Sequence, residues 1–333
     1  MRRCLGLIFA LLSLCAGTGH AGIVTFGSGA NSFNMEFVTI GDAGNAADTT
    51  GNPNPAGSVA YQYQIGKYEV TRGMIEAANS EGSLGISLFD LSAYGGNDPD
   101  KPATGVSWYE AAIFVNWLNT STGHQAAYKF VNGQFELWQP GDVGYDALNP
   151  FRNKLANYVL PTTNEWYKAA FYDGSSGVYY DYATGSDVAP ISVLSGTASG
   201  TAVYGHSSST GPTLVNLAGG ESPYGTVGQS GNVYEWQETA SDLVNDLATE
   251  RRARSGGRYM SSASDTTSST LGSLTPTSEF FSLGFRVASL SVPEPSTASV
   301  LGSMAFFGFS RGRHRRLLRR GKSYRRVKGE MCR

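Results

Sequence analysis

Hydrophobic and polar positions follow two different periods along this chain. Residues 61–70, YQYQIGKYEV, alternate apolar and polar side chains, which is the pattern of a strand buried on one face. Residues Ser107–Asn119 and Pro161–Tyr172 repeat apolar side chains at intervals of three and four, which predicts two amphipathic helices. A third helix is predicted over Arg72–Asn79, directly after Thr71.

Capping residues support these helices. Thr71 and Ser107 stand in N-cap positions, and either Thr162 or Thr163 can cap the last helix. Glu165 falls in the first turn of that helix, where the helix dipole favours an anion. These residues predict where each helix starts.

The rest of the middle region is poor in helix signals. Strand fragments are predicted around Phe33 and Phe37, and residues 173–223 are mostly Gly, Ser, Thr, Tyr and Asp. A run of that length predicts either a long loop with a functional role or a set of short strands that are held by something other than apolar burial. RSGGRYM and LGFRVASL read as two further strands, and 42 glycines in 333 residues favour a loop-rich globule over a helical bundle.

The two ends differ from the middle. Residues 1–21 begin with two arginines, continue through an apolar run and end in small residues, as a secretory signal peptide does. The rival interpretation is a lipoprotein anchor on Cys15. After Pro293, residues 297–309 are apolar and residues 311–326 are basic. Thirteen apolar residues are fewer than the roughly twenty that a permanent membrane span needs, so we expect only transient membrane contact.

The charge and the cysteines exclude several functions. The whole chain has a net charge of −2, but residues 22–292 hold 12 basic and 25 acidic groups, close to −13. Such a surface disfavours nucleic acid, whose binding requires that phosphates be neutralised. Cys4, Cys15 and Cys332 all lie in the terminal segments. We therefore expect no disulfide framework, cysteine metal site or cysteine nucleophile in the middle region.

A glycine-rich turn at Ser222–Glu238, SPYGTVGQSGNVYEWQE, concentrates candidate chemistry. Its glycines allow a tight loop that brings backbone carbonyls together, and Asn232 and Glu235 add oxygen atoms. Hard oxygen ligands suit calcium. Two interpretations remain open: a calcium loop, or a capped turn in which Trp236 is a core ring.

Five tyrosines are candidates for ligand contact, because exposed tyrosine offers apolar area and a hydroxyl at low entropic cost. They are Tyr179, Tyr180, Tyr182, Tyr204 and Tyr224. The alternative is that most of them fill the core. The four histidines are too scattered to form a triad or a three-histidine iron site.

The C-terminal segment 291–333 resembles the PEP-CTERM sorting signal, through its VPEPS motif at Val292–Ser296, the apolar stretch and the basic cluster. The resemblance implies export and removal of the tail by an exosortase. It also implies release to the cell surface or the outside. The tail extends further beyond its arginine cluster than this signal usually does.

The body, from about Val38 to Ser289, resembles the formylglycine-generating enzyme, or sulfatase-modifying factor, family. The motifs recur in the family's order: YQIGKYEVTRGM, ATGVSWYEAAIFVNWLN, YVLPTTNEWYKAAFY, SPYGTVGQSGNVYEW, and RSGGRYM with GFRVAS. The resemblance implies an α+β variant of the C-type lectin fold, low in regular secondary structure and tied by calcium. We expect this domain over residues 61–290, preceded by a strand and loop segment over residues 22–60.

Active members of that family oxidise a sulfatase cysteine to formylglycine with copper held by two cysteines. The resemblance places Ser261 and Thr266 at those two positions. A hydroxyl does not bind Cu(I), which prefers thiolate. We therefore expect no copper and a non-catalytic module that binds a glycan or protein ligand at the cell surface. The alternative is an oxidoreductase with an altered metal centre.

The resemblance also implies calcium ligands. They would be the carbonyl oxygens of Gly231 and Val233 and the carboxylate of Glu235. A further side-chain ligand usually stands where this chain has Gly228, so one oxygen is missing.

Overall fold

The computed structural model of the protein describes residues 22–290. The predicted signal peptide at 1–21 and the predicted sorting tail at 291–333, with its apolar and basic parts, lie outside the described residues. Of the helices in the described residues, none is both long and apolar enough to span a membrane.

Within these residues the regular structure consists of three α-helices, short strands and a few 3-10 turns. The helices are α1 Arg72–Gly82, α2 Trp108–Ser121 and α3 Thr163–Phe171. The strands are β1 Gly22–Phe26, β2 Phe33–Ile40, β3 Tyr63–Gly66, β4 Lys129–Val131, β5 Gln134–Glu136, β6 Tyr158–Val159, β7 Tyr172–Asp173, β8 Val178–Tyr179, β9 Ile191–Ser192, β10 Thr201–Ala202, β11 Tyr234–Ala240, β12 Arg252–Ser255, β13 Gly272–Leu274, β14 Leu283–Phe285 and β15 Ala288–Ser289.

All three helices begin where their capping residues predict. Thr71, Ser107 and Thr162 each accept a hydrogen bond from a backbone N–H in the first turn. The carboxylates of Glu110 and Glu165 accept a hydrogen bond from the N–H of the cap residue, which completes two capping boxes. Local side-chain chemistry therefore fixes where each helix starts.

Two sheets organise the domain. The first has the order β1-β2-β3-β15-β6 and is antiparallel throughout. The second has the order β13-β12-β11-β14, and only β11 and β14 run parallel in it. Because β1 pairs with β2 and β2 pairs with β3, residues 22–40 form one sheet with strands of residues 61–290.

Three strand predictions were wrong in extent. In the predicted strand RSGGRYM only Arg254 and Ser255 lie in a strand, β12. The predicted closing strand LGFRVASL divides into β14 and β15, which belong to different sheets and are separated only by Arg286 and Val287. The predicted half-buried strand at 61–70 contains only β3, and all four of its residues are buried. After Gly66 the chain leaves the sheet, and the N–H of Val70 donates to the carbonyl of Phe285.

The core fills the space around the first sheet and α2. Trp108 and Trp236 are completely buried in it, and Trp166 is completely buried in a smaller apolar cluster with Tyr167 and Phe171. Residues 173–223 contain only two-residue strands and 3-10 turns, held largely by backbone hydrogen bonds. This segment matches the expected set of short strands held without a large apolar core. An α+β fold low in regular secondary structure is therefore confirmed.

Candidate functional site

The glycine-rich turn predicted to carry chemistry leads directly into β11. Gly231 has φ +128°, and a Cβ there would lie 2.2 Å from the carbonyl oxygen of Val203, so only glycine fits. Asn232 secures the turn: its side-chain oxygen accepts from the Thr213 N–H at 2.9 Å, and its amide donates to Glu69 at 2.9 Å. The side-chain oxygen of Asn232 therefore already takes part in a hydrogen bond that stabilises the fold.

Glu235 forms a buried ion pair with Arg286, and both side chains have no exposed surface. The Nη2 atom of Arg286 donates to Oε1 of Glu235 and the Nε atom donates to Oε2, both at 2.6 Å. The indole N–H of Trp166 donates to the same Oε2 at 2.7 Å. The remaining Arg286 contacts are to the carbonyl oxygens of Gly66, Lys67 and Val227. This pair ties β11 to the link between the two sheets.

The pair bears on the predicted calcium ligands. Gly231, Val233 and Glu235 are alternate residues of the chain and all are buried, but both oxygens of the Glu235 carboxylate already accept hydrogen bonds. Calcium binding by these residues stays a prediction. It would require Glu235 to exchange Arg286 for the ion.

A second carboxylate, Glu69, lies close to this pair and forms no ion pair with any residue that the structure describes. Glu69 is 1% exposed, its Oε1 accepts from Asn232, and its Oε2 has no hydrogen-bond partner within the described chain. Burial, and then the negative charge of Glu235, raise the pKa of Glu69 to about 7, although Arg286 opposes the shift. Its carboxylate lies 2.7–2.8 Å from where a Cβ of Gly228 would stand. Glu69 therefore occupies the space that a side chain at position 228 would need.

The two positions compared with copper cysteines are also integrated into the fold. Ser261 is 5% exposed; its Oγ accepts from the N–H of Arg258 at 3.2 Å and lies 3.3 Å from the Tyr234 hydroxyl. Thr266 is completely buried, and its hydroxyl donates to the carbonyl of Ala263 at 2.8 Å. Residues 22–290 contain no cysteine. Both hydroxyls act here as structural hydrogen-bonding groups.

The family model for the sulfatase-modifying factor enzyme 1-like domain matches residues 25–290, which is most of the chain. The chain belongs to this family. No curated protein matches it at a significant level.

Solved structures share the fold of this sulfatase-modifying factor domain. Treponema denticola variable protein 1 is 21% identical with a TM-score of 0.58, covering 81% of this chain and 99% of that one. CarF is 24% identical with a TM-score of 0.54 and coverages of 77% and 98%. PvdO from Pseudomonas aeruginosa is 16% identical with a TM-score of 0.50 and coverages of 80% and 97%. At these identities the likeness establishes the fold alone.

The sulfatase-modifying factor domain contains a second buried ionic network around Arg152. The Nε of Arg152 donates to Glu238 at 2.7 Å, and its Nη atoms donate to Glu165 at 3.0 and 3.1 Å. Burial by itself would raise the pKa of Glu165, but the charge of Arg152, together with hydrogen bonds from Arg152, Tyr61 and the Thr162 N–H, outweighs it and holds that pKa below its usual value. Glu165 therefore serves the helix cap and this network together.

The Arg152 network lies beside a groove of about 560 Å³. Amide side chains are prominent in its walls: Gln62, Asn149, Asn164 and Asn245. Leu148, which is 94% exposed, adds apolar surface. The groove thus combines hydrogen-bonding groups with exposed apolar area.

The five tyrosines singled out from the sequence are all partly buried. The ring centre of Tyr179 lies 4.8 Å from that of Tyr172, and that of Tyr224 lies 6.4 Å from it. The hydroxyl of Tyr204 donates to the carbonyl of Pro190. At least these three help to hold the domain together, whatever they contact outside it.

Sequence reasoning missed Glu69 and Arg286, the two buried charged residues that lie near Glu235. Each is a charged residue within a mostly apolar run, YEV and GFRVA, and a charge in such a run signals a buried partner. An acidic trio was missed as well: Asp242, Asp246 and Glu250 place carboxylate oxygens within 4.8 Å of one another on the β11–β12 loop. These three acidic residues lie in an irregular loop, so their positions in the sequence follow neither helical nor strand periodicity.

Proposed function

We propose that this sulfatase-modifying factor domain is a non-catalytic surface or matrix binding module. One observation carries the proposal: the residues that the family resemblance aligns with the copper cysteines are Ser261 and Thr266, and their hydroxyls form hydrogen bonds within the local fold. Cu(I) prefers soft sulfur ligands, and residues 22–290 contain none of the thiolates that it would need. A pair of hydroxyls also provides no dithiol for electron transfer.

Export belongs to the same proposal. The sequence of residues 1–21 and the VPEPS motif with its apolar and basic segments support secretion, tail removal by an exosortase and a location at the cell surface or outside. The excess of acidic groups in residues 22–292 supports a soluble extracellular domain that does not bind nucleic acid.

In this proposal calcium is a stabilising ion, and its binding requires Glu235 to release Arg286. The carbonyls of Gly231 and Val233 are oxygen donors of the right class, but Glu235 is already held by Arg286 and Trp166. Metal analysis of the purified protein separates the two functional classes. One calcium per chain without copper or iron supports the module, whereas one copper or iron per chain supports an oxidoreductase with an altered centre.

The decisive experiment measures oxidation directly. The purified chain is incubated with copper, oxygen and a cysteine peptide of the sulfatase type, and mass spectrometry follows conversion of the peptide cysteine to formylglycine. We expect no conversion. Replacing Cys4, Cys15 and Cys332 by serine controls for copper held by terminal thiols. The double variant Ser261→Cys with Thr266→Cys shows whether the scaffold accepts copper once sulfur returns. Turnover by the chain without those three cysteines would refute the binding-module proposal.

The groove beside Arg152 is the proposed ligand surface of the module, because amide side chains and exposed leucine suit the hydroxyls and apolar faces of sugars. A glycan array on the full chain identifies ligands, and Gln62→Ala and Leu148→Ala should then weaken their binding. Leu194→Ala is the matched control, since Leu194 is 61% exposed and does not line the groove. Equal binding by all three variants would exclude this surface.

A further inference from the structure

The guanidinium of Arg254, on β12, packs against both neighbouring strands of the second sheet. Its Cζ atom lies 3.7 Å from the ring centre of Tyr234 on β11, so the guanidinium stacks on the face of that ring. On the other neighbouring strand, β13, a Cβ placed on Gly272 would meet the guanidinium at 3.1–3.3 Å. The packing on β11 and β13 therefore limits the positions that the guanidinium can take.

The N–H donors of Arg254 are not used within the described chain. No hydrogen bond or ion pair joins this side chain to another described residue; its Nε atom is buried, whereas its two Nη atoms reach the surface. By contrast, Arg252, two residues earlier on the same strand, donates both of its Nη groups to the carbonyl oxygens of Glu250 and Ala248. The planar Nη pair of Arg254 can thus donate two parallel hydrogen bonds to an oxyanion.

A second arginine lies at the same ring. The Cζ atom of Arg258 lies 5.7 Å from the ring centre of Tyr234, and its Nη1 atom donates to Oγ of Ser282 at 3.1 Å. Neither arginine forms an ion pair with a described residue, although residues 22–292 hold 25 acidic groups against 12 basic ones. This local excess of positive charge attracts a single anionic group at short range, whereas the field of the whole domain repels a dense polyanion.

We propose that Arg254 binds an oxyanion carried by a sugar, a carboxylate, sulfate or phosphate, with its Nη groups donating to two of the oxygens. Arg258 supplies a second positive charge beside it. The inference rests on the proposed binding function, because it names a charged group on the ligand. The Tyr234 hydroxyl, 3.3 Å from Oγ of Ser261, is a further polar group on the ring that both arginines approach. None of these residues lines the groove beside Arg152, so the oxyanion site is separate from that surface.

A purely structural role accounts for less of this arrangement. Contact with the ring of Tyr234 uses the face of the Arg254 guanidinium and leaves the N–H groups in its plane without a partner. A buried donor without a partner is unfavourable for the fold, and an apolar side chain of similar length would avoid that cost. We therefore expect Arg254→Met to keep the stability of the chain and to lose the binding of the oxyanion.

Calorimetric titration of the purified full chain with glucuronate and with its uncharged methyl ester tests this inference. Glucuronate should bind at least about tenfold more tightly than the ester, because its hydrogen bonds to Arg254 are charge-assisted. The sulfate and phosphate esters of glucose, compared with glucose, show which oxyanion binds best. Arg254→Met should weaken glucuronate about tenfold without changing the binding of the ester, and Arg258→Met should weaken it less. Arg251→Met is the matched control, because Arg251 is exposed at the start of the same strand and donates to Ser273.

Chemical protection locates the site in the unaltered chain, so the test holds even if the variants fail to fold. Phenylglyoxal modifies accessible arginines, and saturating glucuronate should slow the modification of Arg254 but not that of Arg251, as followed by mass spectrometry of peptides.

Three results would overturn the inference. They are equal binding of each anionic sugar and its uncharged counterpart, equal protection of Arg251 and Arg254, and binding of Nα-acetyl-glutamate methylamide as tight as that of glucuronate, which would assign the site to an acidic side chain of a partner protein. A chain that shows no preference for anionic sugars but binds neutral glycans leaves the proposed function intact, whereas a chain that binds no glycan and no partner protein contradicts both.

Discussion

Arg286→Met is expected to be the most damaging single change near the candidate site. Arg286 donates to both oxygens of Glu235 and to the carbonyls of Gly66, Lys67 and Val227, all in the interior. Methionine fills a similar volume and supplies none of these donors. The variant would bury the Glu235 and Glu69 carboxylates with no neutralising cation.

Removing one partner of a buried ion pair costs roughly 3–5 kcal/mol, so we expect the free energy of unfolding to fall by about 4 kcal/mol. For a domain of this size that corresponds to a drop in Tm of about 10 °C. Urea unfolding followed by tryptophan fluorescence measures the loss. Trp166 reports on the site directly, because its indole N–H donates to Glu235.

Three further variants make the measurement specific. Arg286→Lys keeps the charge but not the two-pronged geometry, so an intermediate loss is expected. Arg286→Met combined with Glu235→Gln removes one of the stranded charges and should recover part of the loss. Arg251→Met removes an exposed arginine and should cost about 1 kcal/mol or less. A loss below about 1 kcal/mol for Arg286→Met would refute the reasoning that this pair is essential to the fold.

Three other changes test the surrounding structure, each by urea unfolding. Relative to Glu69→Gln, the wild-type chain should lose stability as the pH rises from about 4.5 to about 7. The pKa of Glu69 is about 7 in the folded state, so in that window the folded state holds more protons than the unfolded state. A stability difference between the two chains that does not change with pH would contradict the raised pKa. Gly228→Ala should cost about 2 kcal/mol or more, because φ is +86° and the new Cβ would meet Glu69 at 2.7 Å. Gly177→Ala has a similar φ of +72° with open space around it, so it should show only the smaller backbone cost. Ser107→Ala should cost about 1 kcal/mol through loss of the α2 N-cap, whereas Ser121→Ala, at the other end of α2, should be nearly neutral; equal losses would argue against the capping box.

The sequence by itself determined the local features of this protein. Thr71, Ser107 and Thr162 cap helices within one turn of chain, so their effect depends on neighbours a few residues away. The order of the motifs also identified the family and the α+β fold. That Ser261 and Thr266 carry no sulfur needed no coordinates, because it is a matter of residue type.

The tertiary structure decided everything that depends on distant partners. Glu235 offered an oxygen suited to calcium from its sequence, yet in the fold it faces Arg286, 51 residues away. Glu69 and Asn232 meet across 163 residues, and no local pattern predicts which charge lacks a partner. The closing strand divided because Arg286 and Val287 pass from one sheet to the other. Hydrogen bonding and ion pairing act over a few ångströms in space, whereas sequence patterns report only on neighbours along the chain.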